Sequence, residues 1–534
     1  MTSTRTARAS IAAAGTLTLT LAACTAGGGS GGGDTGGGGG EPVEGGTFTQ
    51  VLPADPGNLD PQLSAGSALF ALSKFAYDSL VSVDVDGEVH SQLASEWDVQ
   101  GTTATLTIRE GIVCSDGSEF TAQTAADNLN WISDPENQSA LLGAFLPVGI
   151  TSVAEGDTVT MTLTDPAPFL LQGLSSLPMV CEAGLTDREA LADATLGTGP
   201  YVLTEAVPND HYTFEVREEY AWGPDGATVD EPGIPAVVNV RVVTDETTAT
   251  NLLLSGEVNA AQIVGPDVDR VLAQDLFSQD ATELSGEQWY NHTEGHPTSD
   301  PAVRMALTQA VDLEELASVL TAGKGGPATA LALVPPRGCT YDSVSGSLPE
   351  HDVDAAAAAL DAAGWVPGAD GVREKDGVRL SLVFLYDNGA GASATAAAEL
   401  AMAAWQEIGV EVEGKQQDDT VLIEALFGTG AWDVAWASVN VNSPDQMMGF
   451  LSGTVAPEGV NFSGIQNADY EAAVAEALQL VGTDSCPKWQ EAETALFEAA
   501  DVVPFANNPI RMFGNGAEFT WHGEPQPTSI RLLG

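Results

Sequence analysis

The sequence predicts a mixed α/β fold, and three observations carry that prediction. In the second half, apolar alternation and helical periodicity take turns: strand 378–385, helix 393–408, strand 410–415, helix 419–427, strand 432–438. That order is the signature of a parallel sheet with helices on its faces. In the first half, shorter alternating runs at 104–108, 158–163 and 237–243 are separated by turns rich in Gly, Pro and Asp. The body from about residue 44 is also long enough to build two or three domains with sizeable cores.

Before that body lies a leader. Arg5 and Arg8 form a basic head, and an apolar stretch from about Ile11 runs to Leu21-Ala22-Ala23-Cys24. A charged start, a short apolar run and small residues at the cut make a secretory signal, and the run is too short for a span of ~20 residues. A cysteine directly after the cut resembles a bacterial lipoprotein signal, which implies that Cys24 becomes the first residue and carries lipid. The expected segments are a signal peptide over 1–23 and a lipidated tether over 24–43. Its glycine-rich composition cannot bury apolar surface and behaves as flexible coil. Gly28-Gly29-Ser30-Gly31-Gly32 matches the hydrolase elbow G-x-S-x-G only by chance, because no strand precedes it and no helix follows.

The elements of the body follow in order. Leu69, Leu72, Phe75, Ala76 and Leu80 recur at helical spacing and predict a helix over 68–80. Asp86-Gly87 between apolar runs predicts a hairpin. Thr121 caps a helix through Trp131, and Gly197-Thr198-Gly199-Pro200-Tyr201 turns sharply into a strand. A helix over 246–254 stops at Gly256. Asp300 with Pro301 opens another, and 354–363 ends at Gly364. Two more helices cover 468–481 and 487–500, and Pro504 puts the apolar run 502–505 at an edge or crossing.

Charge and composition exclude several functions. With 18 basic against 75 acidic residues, a net charge of −57, the chain has no clustered cations with which to hold phosphates, so nucleic acid is excluded as a partner. A salt-rich habitat and a solubilising exported surface both account for the acidity. Six scattered histidines and no elbow in a strand–helix context nominate no nucleophile, base and orienting acid, so no enzyme is expected. His292-Thr293-Glu294-Gly295-His296 lacks the glutamate directly after the first histidine that a helical zinc motif needs, and Asp84-Val85-Asp86-Gly87 lacks the later ligands of a calcium loop. No metal or other cofactor is expected. Beyond Cys24, the even set Cys114, Cys181, Cys339 and Cys486 suggests two disulfides, with three pairings open.

A series of short motifs then runs collinearly along the body. It includes Leu59-Asp60-Pro61, Tyr77-Asp78-Ser79-Leu80-Val81, Leu93-Ala94-Ser95-Glu96-Trp97 and Leu106-Thr107-Ile108-Arg109-Glu110-Gly111. Ser115-Asp116-Gly117, Phe120-Thr121-Ala122, the 197–201 turn, Ser255-Gly256-Glu257-Val258 and Val303-Arg304-Met305-Ala306-Leu307 follow, and Ala363-Gly364-Trp365 and Glu407-Ile408-Gly409-Val410 close it. In this order the chain resembles the extracytoplasmic solute-binding proteins of ABC importers, in the peptide/nickel branch (family 5). The resemblance implies a two-lobed, type II periplasmic-binding-protein-like fold with an extra subdomain in lobe I. Lobe I would take 44–270 plus 498–534 and lobe II 271–497, with hinge crossings near 265–290 and 500–510. Pairings Cys114–Cys181 and Cys339–Cys486 then keep each disulfide within one lobe.

The resemblance further implies a lipid-anchored receptor on the outer face of the cell membrane. It would act as a monomer, capture oligopeptides or similar small organic solutes, and deliver them to a permease complex. A ligand-presenting sensor and a sugar or metal-chelate receptor are the alternatives. Ligand contacts are expected from Trp436 and Asn440, then Asp445, on the segment leaving strand 432–438, because ligands lie beyond the carboxyl ends of strands in such sheets; the alternative for Trp436 is the core. Tyr386 and Asn388 follow strand 378–385. Ser67 and Phe70 in lobe I, and Trp289, Tyr290 and Asn291 near the first crossing, complete the set, with Asn291 equally suited to bonding hinge backbone. Val439 stands where peptide-binding relatives often carry a carboxylate, and the loop 386–391 has no base, which leaves longer peptides, sugars or other solutes open.

Overall fold

The computed structural model describes residues 40–534, apart from 65, 266, 388–390 and 418. The expected signal peptide, Cys24, most of the tether and Asn388 lie outside the described residues. Among the described residues, no helix is long and apolar enough to cross a membrane.

Two long strands organise the molecule. Phe277–Tyr290 and Val502–Gly514 pair antiparallel along almost their whole length, from Phe277 opposite Gly514 to Trp289 opposite Val502, with register shifts around Gly286. Their carboxyl ends extend in opposite directions, and each recruits its own half-sheet. Val502–Gly514 pairs at its end with Ala260–Ile263, and the sheet continues through Thr47–Leu52, Val237–Val242, His211–Val216 and Tyr201–Val207. Phe277–Tyr290 pairs at its end with Val434–Trp436, followed by Ser381–Asp387 and Glu411–Gln417. One ten-stranded sheet therefore serves two lobes, and among the described residues the double ribbon between them is the only sheet connection.

The hydrophobic clusters divide in the same way. Phe48, Phe75, Tyr201, Phe214 and Phe519 pack in lobe I, and Trp405, Phe384, Trp432 and Trp489 in lobe II. A separate four-stranded sheet of Ala94–Gln100, Thr103–Ile108, Thr158–Thr162 and Thr151–Glu155 packs on the helix Ala122–Ser133, whose cap is Thr121, and forms the extra subdomain. Disulfides Cys114–Cys181 and Cys339–Cys486 form in the expected pairing. Such crosslinks typically stabilise by ~2–4 kcal/mol each.

Several expectations change in detail. The second-half sheet is mixed, not purely parallel: Ser381–Asp387 is parallel to both neighbours, but Val434–Trp436 meets Phe277–Tyr290 antiparallel. The first helix covers Ser67–Ala76 and stops four residues early, because Tyr77 is extended and the backbone N–H of Gly199 donates to the Ala76 carbonyl. A Cβ on Gly199 would lie 2.4 Å from the Ala76 carbonyl carbon, so only glycine permits this approach. The helix expected over 419–427 ends at Glu424 and widens into a π-turn, Ala425–Thr429. The run 502–505 is the start of a strand of 13 residues.

Candidate ligand cleft between the lobes

Helix Ser67–Ala76 has two working faces. Leu69, Leu72, Phe75 and Ala76 point into the lobe I core. Ser67, Phe70 and Lys74, spaced by three and four residues, share another stripe and line a cavity of ≈ 310 Å³. Phe145 extends its apolar wall, with the Phe70 and Phe145 rings edge to face at 5.4 Å. The C-terminal segment His522-Gly523-Glu524 forms a further wall, and lobe II contributes Pro335, Pro336 and Asn442. Asn442 holds that rim in place by donating to the carbonyls of Val334 and Pro335, each at 3.1 Å.

Three ionisable side chains give the cavity its electrostatic character, Asp78 buried and Lys74 and Glu524 half-buried. Asp78 accepts from Tyr220 Oη and Trp222 Nε1, and from Thr198 Oγ1 and Gln92 Nε2, at 2.8–3.0 Å. Burial pushes its carboxyl up, and these four donors oppose that shift. Burial pushes the Lys74 ammonium down, against the attraction of Glu524 and Asp78. Glu524 is pushed up to about 8 by burial, against Gln50 and Lys74. Gln50 Nε2 reaches it only at 3.4 Å. Burial also lowers the His522 imidazole.

Of the residues singled out from sequence, Ser67 and Phe70 line this cavity. Trp436 packs against Phe384 and Phe505 on the helix-covered face of lobe II, 6% exposed, with Nε1 donating to Gln288 Oε1 at 3.0 Å. Tyr386 shares that core. Tyr290 does too, its hydroxyl between Thr308 and Gln288. Trp289 points to the opposite face, against Phe462, and donates to the Ala437 carbonyl. Asn440 ties the loop after Val434–Trp436 to the crossing strand: Oδ1 accepts from Leu284 N at 2.8 Å and Nδ2 donates to Leu284 O at 3.0 Å. It also lines a second cavity of ≈ 460 Å³ with Asp387, Phe427, Phe450 and Phe462. Asp445 is half-buried and accepts from Ser443 Oγ. Asn291 donates to the Trp432 carbonyl and accepts from Thr293, at the lobe II end of the crossing strand.

Lys74, His522 and Glu524 were not singled out in the sequence. A lone lysine inside an apolar helix, in a chain with only 18 basic residues, was the available signal. His522 and Glu524 sit in a segment with no periodicity to place it.

Near the cavity the lobes touch. The Gly482 N–H donates to the Pro168 carbonyl at 2.7 Å, and Gln446 Nε2 to the Ala144 carbonyl at 3.3 Å. Phe169 lies against Trp489 in the lobe II core. Gly87 approaches so closely that a Cβ there would sit 2.1 Å from the Arg337 carbonyl oxygen.

Residues 88–460 match the bacterial extracellular solute-binding proteins, family 5 Middle. Protein XP55 of Streptomyces lividans is 30% identical over 350 residues, 63% of this chain and 60% of that protein, so the chain spans less than two thirds of that relative's length. The nickel-binding periplasmic protein of Escherichia coli (strain K12) is 28% identical over 385 residues, 68% of this chain and 70% of the relative. A crystal structure of a substrate binding protein from Microbacterium hydrocarbonoxydans, complexed with 4-hydroxybenzoate hydrazide, is 25% identical. It superposes with a TM-score of 0.66, covering 91% of this chain and 99% of that one. The two-lobed sheet, the cleft at its waist and a match across most of the body place the chain in the family 5 bacterial extracellular solute-binding proteins.

Proposed function

We propose that the protein is the substrate-binding lipoprotein of an ABC importer. It captures oligopeptides or similar small organic solutes outside the cell and presents them to a membrane permease, without altering them. Cys24 anchors the monomer to the membrane. Lobe I spans 44–270 with 498–534, and lobe II spans 271–497. The observation that carries the reading is the cleft itself. Two lobes are joined through the sheet by a two-stranded ribbon, and a polar and aromatic cavity lies where they meet.

Such a joint favours capture. A ligand that contacts both walls binds the closed form better than the open one, and that difference shifts the population. The crossing strands flex at one place, because the irregular register around Gly286 interrupts an otherwise continuous ladder. The Phe169 contact and the Pro168 and Ala144 hydrogen bonds between the lobes then add to closure. Native mass spectrometry of protein purified without denaturation tests the reading. A small organic compound should leave with the protein and be released chemically unchanged. Recovery of a converted product contradicts it.

A further inference from the structure

Phe169 belongs to lobe I by chain but to lobe II by packing. It directly precedes the short helix Leu170–Leu174, whose Leu170, Leu171 and Leu174 are buried in the core of the extra subdomain. Phe169 faces away from that core. Its ring is 4% exposed and lies among the lobe II hydrophobics, tilted against Trp489 at 6.4 Å between centroids. Pro166 and Pro168 restrict the backbone that presents the ring, so little freedom is lost when it seats.

Lobe II is shaped to take this ring. A Cβ on Gly338 would lie 3.0 Å from two carbons of the Phe169 ring and 2.9 Å from Ser443 Cβ. The Gly338 φ lies outside the left-handed region, so space, not backbone, calls for glycine here. The walls of the socket are tied to one another. Cys339, next to Gly338, is bonded to Cys486, the first residue of the helix that carries Trp489. The Gly338 N–H donates to the Asn442 carbonyl at 2.8 Å. Beside the ring, the Gly482 N–H reaches across the lobes to the Pro168 carbonyl at 2.7 Å. Phe169 does not line the cleft cavity, so its seat favours closure whatever the cavity holds. Opening the lobes exposes both ring and socket, which the hydrophobic effect opposes.

We infer that Phe169 and its lobe II socket form a latch, which raises the population of the closed form without touching the captured solute. Its bearing on affinity rests on the reading of the cleft as the capture site. An apparent dissociation constant is the intrinsic one divided by the competent fraction, so the latch tightens binding by the factor through which it raises that fraction.

The test uses the full protein stripped of its co-purified compound, then given that compound back, with Phe169→Ala and Gly338→Ala beside the parent. The first variant removes the knob and the second narrows the socket. Small-angle scattering should give both stripped variants a larger radius of gyration than the stripped parent. Hydrogen exchange at the Gly482 amide should be roughly tenfold faster or more in both, since a buried Phe side chain contributes that much. Amides of the subdomain strand Thr103–Ile108 should keep the parent's rates, which a general loss of stability would not allow. The restored compound should contract all three proteins and bind the variants roughly tenfold more weakly or worse. An unchanged radius for stripped Phe169→Ala, or Gly482 exchange at the parent's rate, overturns the latch. If Phe169→Ala fails to fold, Gly338→Ala decides by the same readings. Equal contraction and equal affinity across the three proteins overturn the latch and leave the capture reading standing. Wider stripped variants, with no contraction of any protein by the compound, sink the capture reading and leave the latch standing.

Discussion

Asp78 shows how one side chain can fix a whole wall of the cleft. Its oxygens gather a hydroxyl from Tyr220, an indole N–H from Trp222, a hydroxyl from Thr198 and an amide from Gln92, drawn from three separate chain segments. Asp78→Ala strands these buried donors, and denaturant unfolding should show a loss on the order of 3 kcal/mol or more. A loss below ~1 kcal/mol would contradict the role. Glu287 carries the opposite problem. It lies fully buried in the crossing strand, accepts from the Val439 N–H through Oε2, and its Oε1 has no partner among the described residues. Burial pushes it up to about 8, and the same cause pushes Glu493 to about 7. A carboxyl raised in the folded state binds its proton more tightly there than in the unfolded chain. Its stabilising effect is complete below the unfolded value of ~4.3 and is lost as pH rises through about 8. Glu287→Gln keeps the acceptor for Val439 and removes the ionisation. Its stability should exceed that of the parent at pH 8, on the order of a few kcal/mol, and vary less between pH 5 and 8. Equal pH profiles for the two proteins would contradict the assignment.

Elements whose burial is one-sided were legible in the sequence. Strand Thr103–Ile108 alternates because one face meets the subdomain core, and helices with Asp or Thr caps began where the caps said. Strand Phe277–Tyr290 was not legible as a strand. Its Asp280 pairs with Arg511 at the surface while Glu287 and Gln288 make buried hydrogen bonds, so no period of two survives. Trp436 illustrates the limit at the site. Alternation sends Val434 and Trp436 to one face of the half-sheet and Ala435 to the other, and which face a helix covers is a tertiary fact. The hairpin of Val81–Val83 and Val89–Ser91 was legible from Asp86-Gly87, but its contact with lobe II was not. That contact yields a test of closure. Gly87→Ala places a methyl against the Arg337 carbonyl and strains a φ of 84°, whereas Gly117→Ala strains a φ of 85° with nothing within 4 Å. Both should lose ~1 kcal/mol of stability. Only Gly87→Ala should also weaken ligand binding, which calorimetry reads. Equal binding by the two variants would contradict closure through this contact.

At the scale of the whole molecule, charge and hinge dominate. Seventy-five acidic residues against eighteen basic ones repel one another across both lobes. Salt shortens the screening length from ~30 Å at 0.01 M to ~3 Å at 1 M, so the melting temperature should rise over that range. An unchanged or falling value would contradict self-repulsion as a major cost. The central claim is that two lobes on a two-stranded ribbon shut around a guest. Small-angle X-ray scattering of the protein stripped of its co-purified compound, then with that compound restored, tests it most directly. The account predicts a smaller radius of gyration on restoration; superimposable scattering curves at saturation would contradict it.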